Sequence, residues 1–581
     1  MRSRATDLLL WWTGLCGLQA TACCAVAADW PMWRGDAARS AVTSGSLPAD
    51  LELHWQLQLP APRPAWPAEQ GKVRFDASYE PVVGGQLLFV PSMVDGSVTA
   101  YRLADAQFVW RFYTDGPVRF APVVYQDRVL FASDDGHLYC VTADAGTLVW
   151  KRRGGPDDRK VLGNDRLISM WPARGAPVVW EHTVYWAAGI WPFMGVYVEA
   201  VDIASGQPVW TNSGSGSNYT VQQHNSPAFA GIAPQGYLTV NDTTLLVSGG
   251  LTVPAAFDRQ TGRFLYYRPG VRELGKDIGS FEVLLGPDWF ANRGRLQRLQ
   301  DGEPLVTAPV GIVTPHGTYG IAGKQLVASQ LQVVEHVATT VDKKGKVKHT
   351  TTWKLPELWR TRLPEGITAL HVKTVNRFVA SDDGHRVVLL NVPQSSDDTC
   401  RVEWETRLPG VVSRALVAHE RLIVASEDGI IACFGARAER PVDTGLMRDA
   451  PVVALQQIAV AEDVRRELAA LLEHVSSRAG YAVVDQAQDP QLLAAFAQQT
   501  QFFVIALQDD PQSRETLRRT LRDWGLLGTR VDVVAGNLRT PGLPLYLADL
   551  VVGSSSEGTG PADAQLIGRV VDALRPYSGT G

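Results

Sequence analysis

The sequence predicts an all-β propeller of seven or eight four-stranded blades, followed by a smaller α/β domain. Three observations support this prediction. An aromatic signature recurs, mostly at intervals of 40 to 60 residues, and strands alternate with helices only after residue 440. The 581 residues also include 53 glycines, 35 prolines and 18 tryptophans, as expected for many short strands joined by turns. A chain of this length exceeds the usual size of one hydrophobic core.

The first 28 residues are expected to be an export signal and are set apart from the fold. Arg2 and Arg4 precede an uncharged stretch from Leu8 to Ala28, which contains the A-x-A cleavage pattern Ala25-Val26-Ala27. An uncleaved anchor is the alternative, since 21 uncharged residues are enough to span a bilayer. The protein is therefore expected in the periplasm or the cell envelope, and a peripheral association with a membrane stays open.

Charge and cysteine content exclude two classes of protein. The net charge of −5 lacks the strongly basic footprint of a nucleic-acid binder. Beyond the export signal the chain keeps only Cys140, Cys400 and Cys433, which are far apart and odd in number. This spacing predicts neither a disulfide framework nor a C-x-x-C metal pair.

The repeated signature is clearest in Ala200–Trp210 and Ala256–Tyr266, which both read A-x-D-x-x-x-G-x-x-x-aromatic. A large ring at this position can bridge adjacent blades and donate its N–H nearby. We expect the glycine four residues earlier to let the turn approach beneath that ring. Weaker copies of the signature end at Trp110, Trp150, Trp359 and Trp404.

A second element precedes each signature and is a short apolar run bounded by turn residues, which predicts strands. Examples begin at Glu80–Val83, Ala121–Val124 and Ala176–Val179. Asp-Gly pairs are expected to close the hairpins through tight type I′ turns, which need positive φ. These pairs are Asp95-Gly96, Asp135-Gly136, Asp383-Gly384 and Asp428-Gly429.

Four strands in about 40 to 60 residues indicate a propeller blade. The interval of 93 residues between Tyr266 and Trp359 holds either two blades or one blade with a long insertion. We therefore expect seven or eight blades and favour eight. Trp55 lies before the first blade, so its strand is predicted to complete the last one and to leave no open sheet edge there.

The repeat resembles the tryptophan-docking motif of the pyrroloquinoline-quinone (PQQ) propeller superfamily. That superfamily includes quinoprotein alcohol dehydrogenases and non-enzymatic outer-membrane assembly propellers. Asp29–Gly35 also resembles the opening of exported PQQ-like repeat proteins. The resemblance implies a propeller over residues 29–440 and is specific for fold rather than for chemistry.

For a quinoprotein dehydrogenase the resemblance implies PQQ beneath two adjacent cysteines, a calcium ion and an aspartate base. The only adjacent cysteines are Cys23 and Cys24, inside the predicted export signal, so the mature chain lacks this clamp. No cofactor is therefore expected, and PQQ held without the clamp is the alternative.

Other polar motifs are interpreted as structural. Ser133–His137 recurs as Ser381–His385 and varies to Ser426–Ile430, which favours hairpin turns over acid–base or metal groups. His224 and His316 lack ligand partners at useful spacing, and no catalytic or metal residue is predicted. Residues 336–352 predict a hairpin with a lysine-rich tip, which is either solvated or in contact with an anionic partner.

Residues 441–581 predict an α/β domain with a parallel sheet. Buried strands are expected at Tyr481–Val484, Phe502–Leu507, Val531–Ala535 and Asp549–Val552, with helices that start at Asp489-Pro490 and Asp510-Pro511.

The order of these elements resembles a class I S-adenosylmethionine (SAM) methyltransferase, a Rossmann-like fold. Four positions that the family uses for its cofactor depart from its pattern. Asp485 opens the loop that should be rich in glycine, Gln508 replaces the ribose-binding acid with Asp509 one place later, and Asn537 stands near the expected adenine. Ala573–Gly579 resembles the turn before a fifth strand, so the domain is expected to be degenerate and incomplete.

These observations favour an exported, non-catalytic scaffold whose propeller face binds a protein or polysaccharide partner. The alternatives are a quinoprotein oxidoreductase that binds PQQ and, less favoured, a SAM-dependent methyltransferase. The sequence leaves the partner and the oligomeric state open.

Overall fold

A computed structural model describes residues 28–221, 225–269, 279–341, 347–437, 445–449, 453–539, 542–553, 564–576 and 579–580. The predicted export signal up to residue 27, His224 and the lysine-rich tip at residues 342–346 lie outside these ranges. Within them, no helix is both long and apolar enough to cross a bilayer.

Eight antiparallel sheets follow one another along the chain and form a propeller, which confirms the predicted propeller and sets the number of its blades at eight. The long interval before Trp359 contains both a complete fifth blade and an inserted hairpin in the sixth. We call the face that carries the turns between the second and third strand of each blade the upper face, and the opposite one the lower face.

Each blade runs from an inner to an outer strand. Blade 1 consists of β2 (Val82–Gly84), β3 (Leu87–Ser92), β4 (Ser97–Arg102) and β5 (Phe108–Tyr113), and blade 2 of β6 (Val123–Tyr125), β7 (Arg128–Ala132), β8 (His137–Thr142) and β9 (Leu148–Arg153). Blade 3 consists of β12 (Gly175–Trp180), β13 (Thr183–Ala188), β14 (Tyr197–Asp202) and β15 (Pro208–Asn212). Blade 4 consists of β19 (Thr239–Val240), β20 (Thr244–Gly249), β21 (Thr252–Asp258) and β22 (Phe264–Tyr266).

Blades 5 to 7 have the same order. Blade 5 consists of β23 (Leu284–Leu285), β24 (Trp289–Asn292), β25 (Arg295–Arg298) and β26 (Pro304–Thr307). Blade 6 consists of β27 (Ile312–Thr314), β28 (Gly317–Ala322), β29 (Gln325–Ser329) and β32 (Glu357–Arg362). Blade 7 consists of β33 (Ala369–Lys373), β34 (Arg377–Ser381), β35 (Arg386–Asn391) and β36 (Val402–Arg407).

Blade 8 closes the ring with a strand from the start of the chain, as predicted. Its strands are β37 (Val412–Ala418), β38 (Arg421–Ser426), β39 (Ile430–Gly435), β1 (Glu52–Gln58) and the outermost β40 (Leu446–Arg448). Trp55 of β1 pairs with Cys433 and is 1% exposed, so the closing strand is also part of the core.

Further strands form local hairpins or extend a blade. They are β10 (Lys160–Gly163) with β11 (Arg166–Ser169), β16 (Tyr219–Val221) with β17 (Pro227–Phe229), β30 (Val334–Val341) with β31 (Val347–Lys354), and β18 (Gly236–Tyr237), which pairs in parallel with β12.

The repeated aromatic rings join neighbouring blades. Trp150 donates its Nε1–H to the carbonyl of Ile203 in the next blade at 2.9 Å, and Trp210 does the same to Arg259. The predicted role of the glycine was wrong in one respect. Gly206 lies against the ring of Trp150 in the preceding blade, where an added Cβ would come within 2.7 Å of its Cγ, and not beneath Trp210.

The Asp-Gly turns also differ from the prediction. Gly96 has a φ of +65°, but Asp95 does not have positive φ, and the turn joins Ser92 to Ser97 through four residues. These turns are therefore not type I′, which needs positive φ at both central residues.

The N-terminal segment, residues 28–43, is a feature that the sequence did not predict. It runs around the inside of the ring near the lower face and bonds to the inner strand or its turn in every blade. Its backbone hydrogen bonds reach seven blades, and the Arg39 guanidinium reaches blade 3 at Pro177; the backbone partners are His419, Val83, Val124, Val240, Leu285, Val313 and Lys373.

The C-terminal unit contains a four-stranded parallel sheet with helices packed against it. The strands lie in the order β43 (Val531–Val534), β42 (Gln501–Leu507), β41 (Ala479–Val484) and β44 (Leu550–Val552), and the helices are α1 (Glu462–Leu472), α2 (Pro490–Gln499), α3 (Pro511–Asp523) and α4 (Ala564–Ala573).

The unit lies against blade 1 and against the β10–β11 hairpin. Arg166 of β11 forms a bidentate ion pair with Asp532 of β43 at 2.6 and 2.9 Å, and both side chains are 7% exposed. Arg518 of α3 pairs with Asp115, which follows β5. These contacts fix the C-terminal unit on the upper face and outer rim of the propeller.

Candidate functional site

The upper face opens into a polar cavity of about 460 Å³ near the axis, on the side of blades 7 and 8. The starts of β33 and β37 and the turns after β34 and β38 line this axial cavity. Trp33 and Arg34 of the N-terminal segment line it from below.

The two arginines of the axial cavity both have hydrogen-bond partners. Arg414 Nε donates to Glu80 Oε1 at 2.9 Å, and a second guanidinium nitrogen lies 3.5 Å from Glu282. Arg34 donates to the carbonyls of Gly311 and Arg39. Asp382, Asp383 and Glu427 also line the cavity, so its lining holds five carboxylates and two guanidinium groups.

Burial shifts the pKa values of two groups at this cavity. It raises the pKa of Glu80 to about 7, although Arg414 acts in the opposite direction. Burial, together with the charges of Arg414 and Arg34, lowers the pKa of His371 to about 3. His371 is thus neutral at pH 7, with Nε2 2.9 Å from the Ser381 hydroxyl.

The residues at the axis do not fit PQQ as a quinoprotein dehydrogenase would hold it. The cofactor is a polycarboxylate, whereas the cavity is lined by five carboxylates and two arginines, of which Arg414 already pairs with Glu80 and lies 3.5 Å from Glu282. In the described part of the chain no group of three or more His, Cys, Asp or Glu side chains is placed to hold a metal ion. Cys140, Cys400 and Cys433 are free and buried in separate blades.

The recurring Asp-Asp-Gly-His motif has a structural role in blade 2. Asp134 accepts hydrogen bonds from Arg119 Nε at 2.6 Å and from Arg174 at 2.9 Å. Burial raises the pKa of Asp134, but Arg174 and Arg119 outweigh it and lower the pKa to about 2. Arg119 also bonds Asp76 in the connection between β1 and β2, so this network ties the ring closure to blade 2.

An apolar patch projects from the upper face above blade 3, and we call it the hairpin patch. It consists of Tyr219, Val221 and Phe229 of the β16–β17 hairpin and of Phe193 in a nearby 3-10 turn. Tyr219 pairs with Phe229 across the hairpin, and their rings lie edge to face at 6.5 Å. Tyr219 is 79% exposed and Phe193 is 70% exposed, so neither ring is part of the hydrophobic core. Exposed apolar patches of this kind mark interaction sites.

The four predicted cofactor positions of the C-terminal unit lie together at the carboxyl edge of its sheet, where they bond mainly to one another and to the backbone. Asp509 accepts from Asn537 and Gln486, and Asp485 accepts from the backbone N–H of Leu538 at 3.0 Å. Gln508 is buried and donates to the carbonyl of Ala487 at 2.8 Å. These contacts occupy the groups that a ribose or an adenine would need.

The sequence indicated neither the axial cavity nor the hairpin patch. One signal was present for the cavity: Glu80 stands where the equivalent positions of blades 2 and 3 have Ala121 and Ala176. An ionisable residue at a position where other blades have alanine indicates a role that is specific to this blade. The hairpin patch had no such signal, because the sequence does not reveal whether an isolated aromatic residue in a loop is exposed or buried. Of the two single histidines considered, His316 donates its backbone N–H to Thr314 in a turn of the lower face.

Comparison with protein families gives one match. The model of the outer membrane protein assembly factor BamB matches residues 48–170, which hold β1 and the first two blades. No curated protein matches the chain. The methyltransferase resemblance of the C-terminal unit finds no support in these comparisons.

Solved structures similar to this chain share little sequence with it. BamB from Moraxella catarrhalis is 15% identical, with a TM-score of 0.30 over 60% of this chain and 82% of its own. Quinohemoprotein alcohol dehydrogenase from Comamonas testosteroni is 14% identical, with a TM-score of 0.45 over 77% and 85%. A europium-containing methanol dehydrogenase is 12% identical, with a TM-score of 0.43 over 68% and 89%.

Proposed function

We propose that this protein is an exported, non-catalytic scaffold that binds a partner protein through the upper face of its propeller. The observation that carries the proposal is the hairpin patch, in which Tyr219 and Phe229 expose one apolar face of a two-stranded hairpin. Exposed aromatic residues of this kind are typical anchors of protein interfaces, because binding removes a large area of apolar surface from water.

Two further observations support a scaffold rather than an enzyme. The lining of the axial cavity carries more carboxylates than guanidinium groups, which disfavours an anionic cofactor, and the buried acids of blade 2 are held in ion pairs. The family match is to an outer membrane assembly factor, which favours a protein partner in the cell envelope. A polysaccharide partner is the alternative, since aromatic faces also bind sugars.

The experiment compares capture of partners by the full-length chain with capture by Tyr219→Ser/Phe229→Ser. We expect one or more envelope proteins to be retained by the unaltered chain and lost with the double variant. Val337→Ser, on the equally exposed hairpin at the lower face, is the matched control and should retain them. Equal capture by all three proteins contradicts the proposal.

A quinoprotein oxidoreductase is the second candidate, because the axial cavity of about 460 Å³ offers space for a small molecule although its charges oppose PQQ. We test it by titrating the full-length chain with PQQ and Ca²⁺ while recording the absorbance of the cofactor. The scaffold proposal predicts no saturable change at micromolar concentrations. A saturable shift that is lost in Arg414→Leu would favour the enzyme.

For the C-terminal unit we infer a Rossmann-like fold that has lost its cofactor. Support comes from the parallel sheet with β41 and β42 at its centre and from the mutual hydrogen bonds of Asp509 and Asn537. Calorimetric titration of the full-length chain with SAM should therefore give no heat of binding. Micromolar binding that Asp485→Ala abolishes would contradict this inference.

A further inference from the structure

We propose that the outer edge of β5 in blade 1 is a second binding site, which accepts an extended acidic segment of a partner protein as an added strand. This site goes beyond the scaffold proposal, because it lies on the rim of the ring and shares no residue with the hairpin patch. The two proposals can therefore fail independently.

The site is a cleft of about 1270 Å³ between the propeller and the C-terminal unit. Strand β5 lines it along its whole length. The other sides are formed by the first residues of β9 in blade 2, by β40 beside blade 8 and by one face of α3. Because the cleft follows all six residues of β5, it suits an extended chain better than a compact small molecule.

The edge of β5 offers main-chain hydrogen bonds. The strand pairs with β4 on its inner side, and no strand of the described residues pairs with its outer side. Unpaired N–H and C=O groups along such an edge are a template for strand addition. The chain itself fills the corresponding edge of blade 8, where β40 adds to β1 in parallel, from Gln56 beside Leu446 to Gln58 beside Arg448.

The charge of the cleft selects an acidic partner. Seven basic and four acidic residues line it, although the whole chain carries a net charge of −5. Buried Arg111 and Arg522 are already bound to Asp449. Lys151 and Arg519 are exposed at the rim, and Arg519 forms an exposed ion pair with Glu515 of the same helix.

Apolar side chains beside the edge add a second requirement. Phe108 is 59% exposed at the start of β5, with the guanidinium of Arg111 5.6 Å from its ring centre. Val109 and Leu148 are also exposed next to the cleft. Because alternate residues of a strand point to opposite sides, a segment that alternates acidic and apolar residues meets both requirements.

The test measures fluorescence polarisation of a labelled eight-residue peptide of alternating Asp and Val with the full-length chain. Two further peptides carry N-methyl groups on either the odd or the even amides. We expect the unmodified peptide to bind and only one methylated peptide to lose affinity, by tenfold or more, because a single set of amides faces the edge.

Charge reversal provides the second arm. Lys151→Glu/Arg519→Glu should weaken binding about tenfold at low salt, through lost attraction and new repulsion. The matched control Arg401→Glu/Arg466→Glu makes the same change in net charge at exposed positions outside the cleft and should leave binding unchanged.

Three results would overturn the proposal. Failure of the unmodified peptide to bind at millimolar concentration excludes strand addition by such a segment. Equal binding by both methylated peptides, with competition by dextran sulfate, indicates a polyanion surface instead. Equal weakening by the control variant indicates a long-range charge effect. Thermal melting of each variant checks that it is folded, and Tyr219→Ser/Phe229→Ser should bind the peptide normally.

Discussion

At the scale of single residues, the aromatic ring and the glycine of one repeat serve two different interfaces. Trp210 donates to the following blade, whereas Gly206 supports Trp150 of the preceding one. Each signature is therefore a link in a chain of contacts around the ring. The role of the ring between blades could be predicted from the sequence, but which ring each glycine contacts depends on how neighbouring blades stack.

Replacing Gly206 with alanine tests this link. The new Cβ would press on the Trp150 ring, so we expect a loss of roughly 1–3 kcal/mol beyond the cost of its positive φ. Gly323→Ala is the matched control, because Gly323 has a φ of +59° and nothing within 4 Å of an added Cβ. Denaturant unfolding compares the two, and equal losses would contradict the packing role.

The neutral state of His371 makes stability depend on pH. Its pKa is about 3 in the folded chain and about 6.5 when unfolded, so below pH 6.5 only the unfolded chain takes up the proton. The free energy of unfolding should therefore fall by up to about 1.4 kcal/mol per pH unit as the pH drops from about 6.5 to about 3.

The measurement compares the unaltered chain with His371→Gln, which keeps a polar group near Ser381 but cannot titrate. Denaturant unfolding of both proteins at several pH values isolates the contribution of His371 from that of Glu80. A difference in stability that does not change between pH 6.5 and pH 3 would show that His371 is not held neutral.

At the scale of elements, the N-terminal segment joins all eight blades. Arg39 is fully buried within it and donates to the carbonyls of Leu238, Trp33 and Pro177. The backbone of the segment also forms hydrogen bonds with the inner strands and their turns, in addition to those that the strands of each blade form with one another. No hydrophobic period marks such a segment, so its path around the inside of the ring could not be predicted from the sequence.

We expect Arg39→Met to lower the free energy of unfolding by about 3 kcal/mol or more, because several buried carbonyls lose their donor. Arg466→Met, an exposed change on α1, should cost less than about 0.5 kcal/mol. The midpoints of denaturant unfolding measure both. A small loss for Arg39→Met would mean that the segment is not needed to hold the inner strands.

At the scale of the whole molecule, the buried pair of Arg166 and Asp532 holds the C-terminal unit on the propeller. Asp532→Ala leaves an unpaired buried guanidinium, and we expect it to weaken docking by about 3–5 kcal/mol. Arg166→Met/Asp532→Leu should restore much of this loss, because it removes both charges.

Hydrogen exchange at the facing residues of β11 and β43 reports the docking, while exchange in blades 5 to 7 serves as the internal control. Exchange that stays unchanged in Asp532→Ala would contradict a stabilising role for the pair. A double variant that exchanges as fast as the single one would show that shape, and not charge, fixes the unit.

Much of the architecture could be predicted from the sequence, since the blades, their closure by Trp55 and the parallel strands after residue 478 all follow local periodicity. The functional surfaces could not. The axial cavity combines Glu80, Glu282 and Arg414 from distant positions, and the cleft combines a propeller strand with α3. Such surfaces depend on how the blades and the C-terminal unit pack, which no local pattern records.

The central claim is that the upper face binds a partner protein through the hairpin patch. Site-specific photo-crosslinking in intact cells tests it most directly, with a benzoylphenylalanine placed either at Phe229 or at Val337 on the lower-face hairpin. We predict a discrete crosslinked adduct from Phe229 and none from Val337. Adducts from Val337 alone, or from neither position, would contradict the claim.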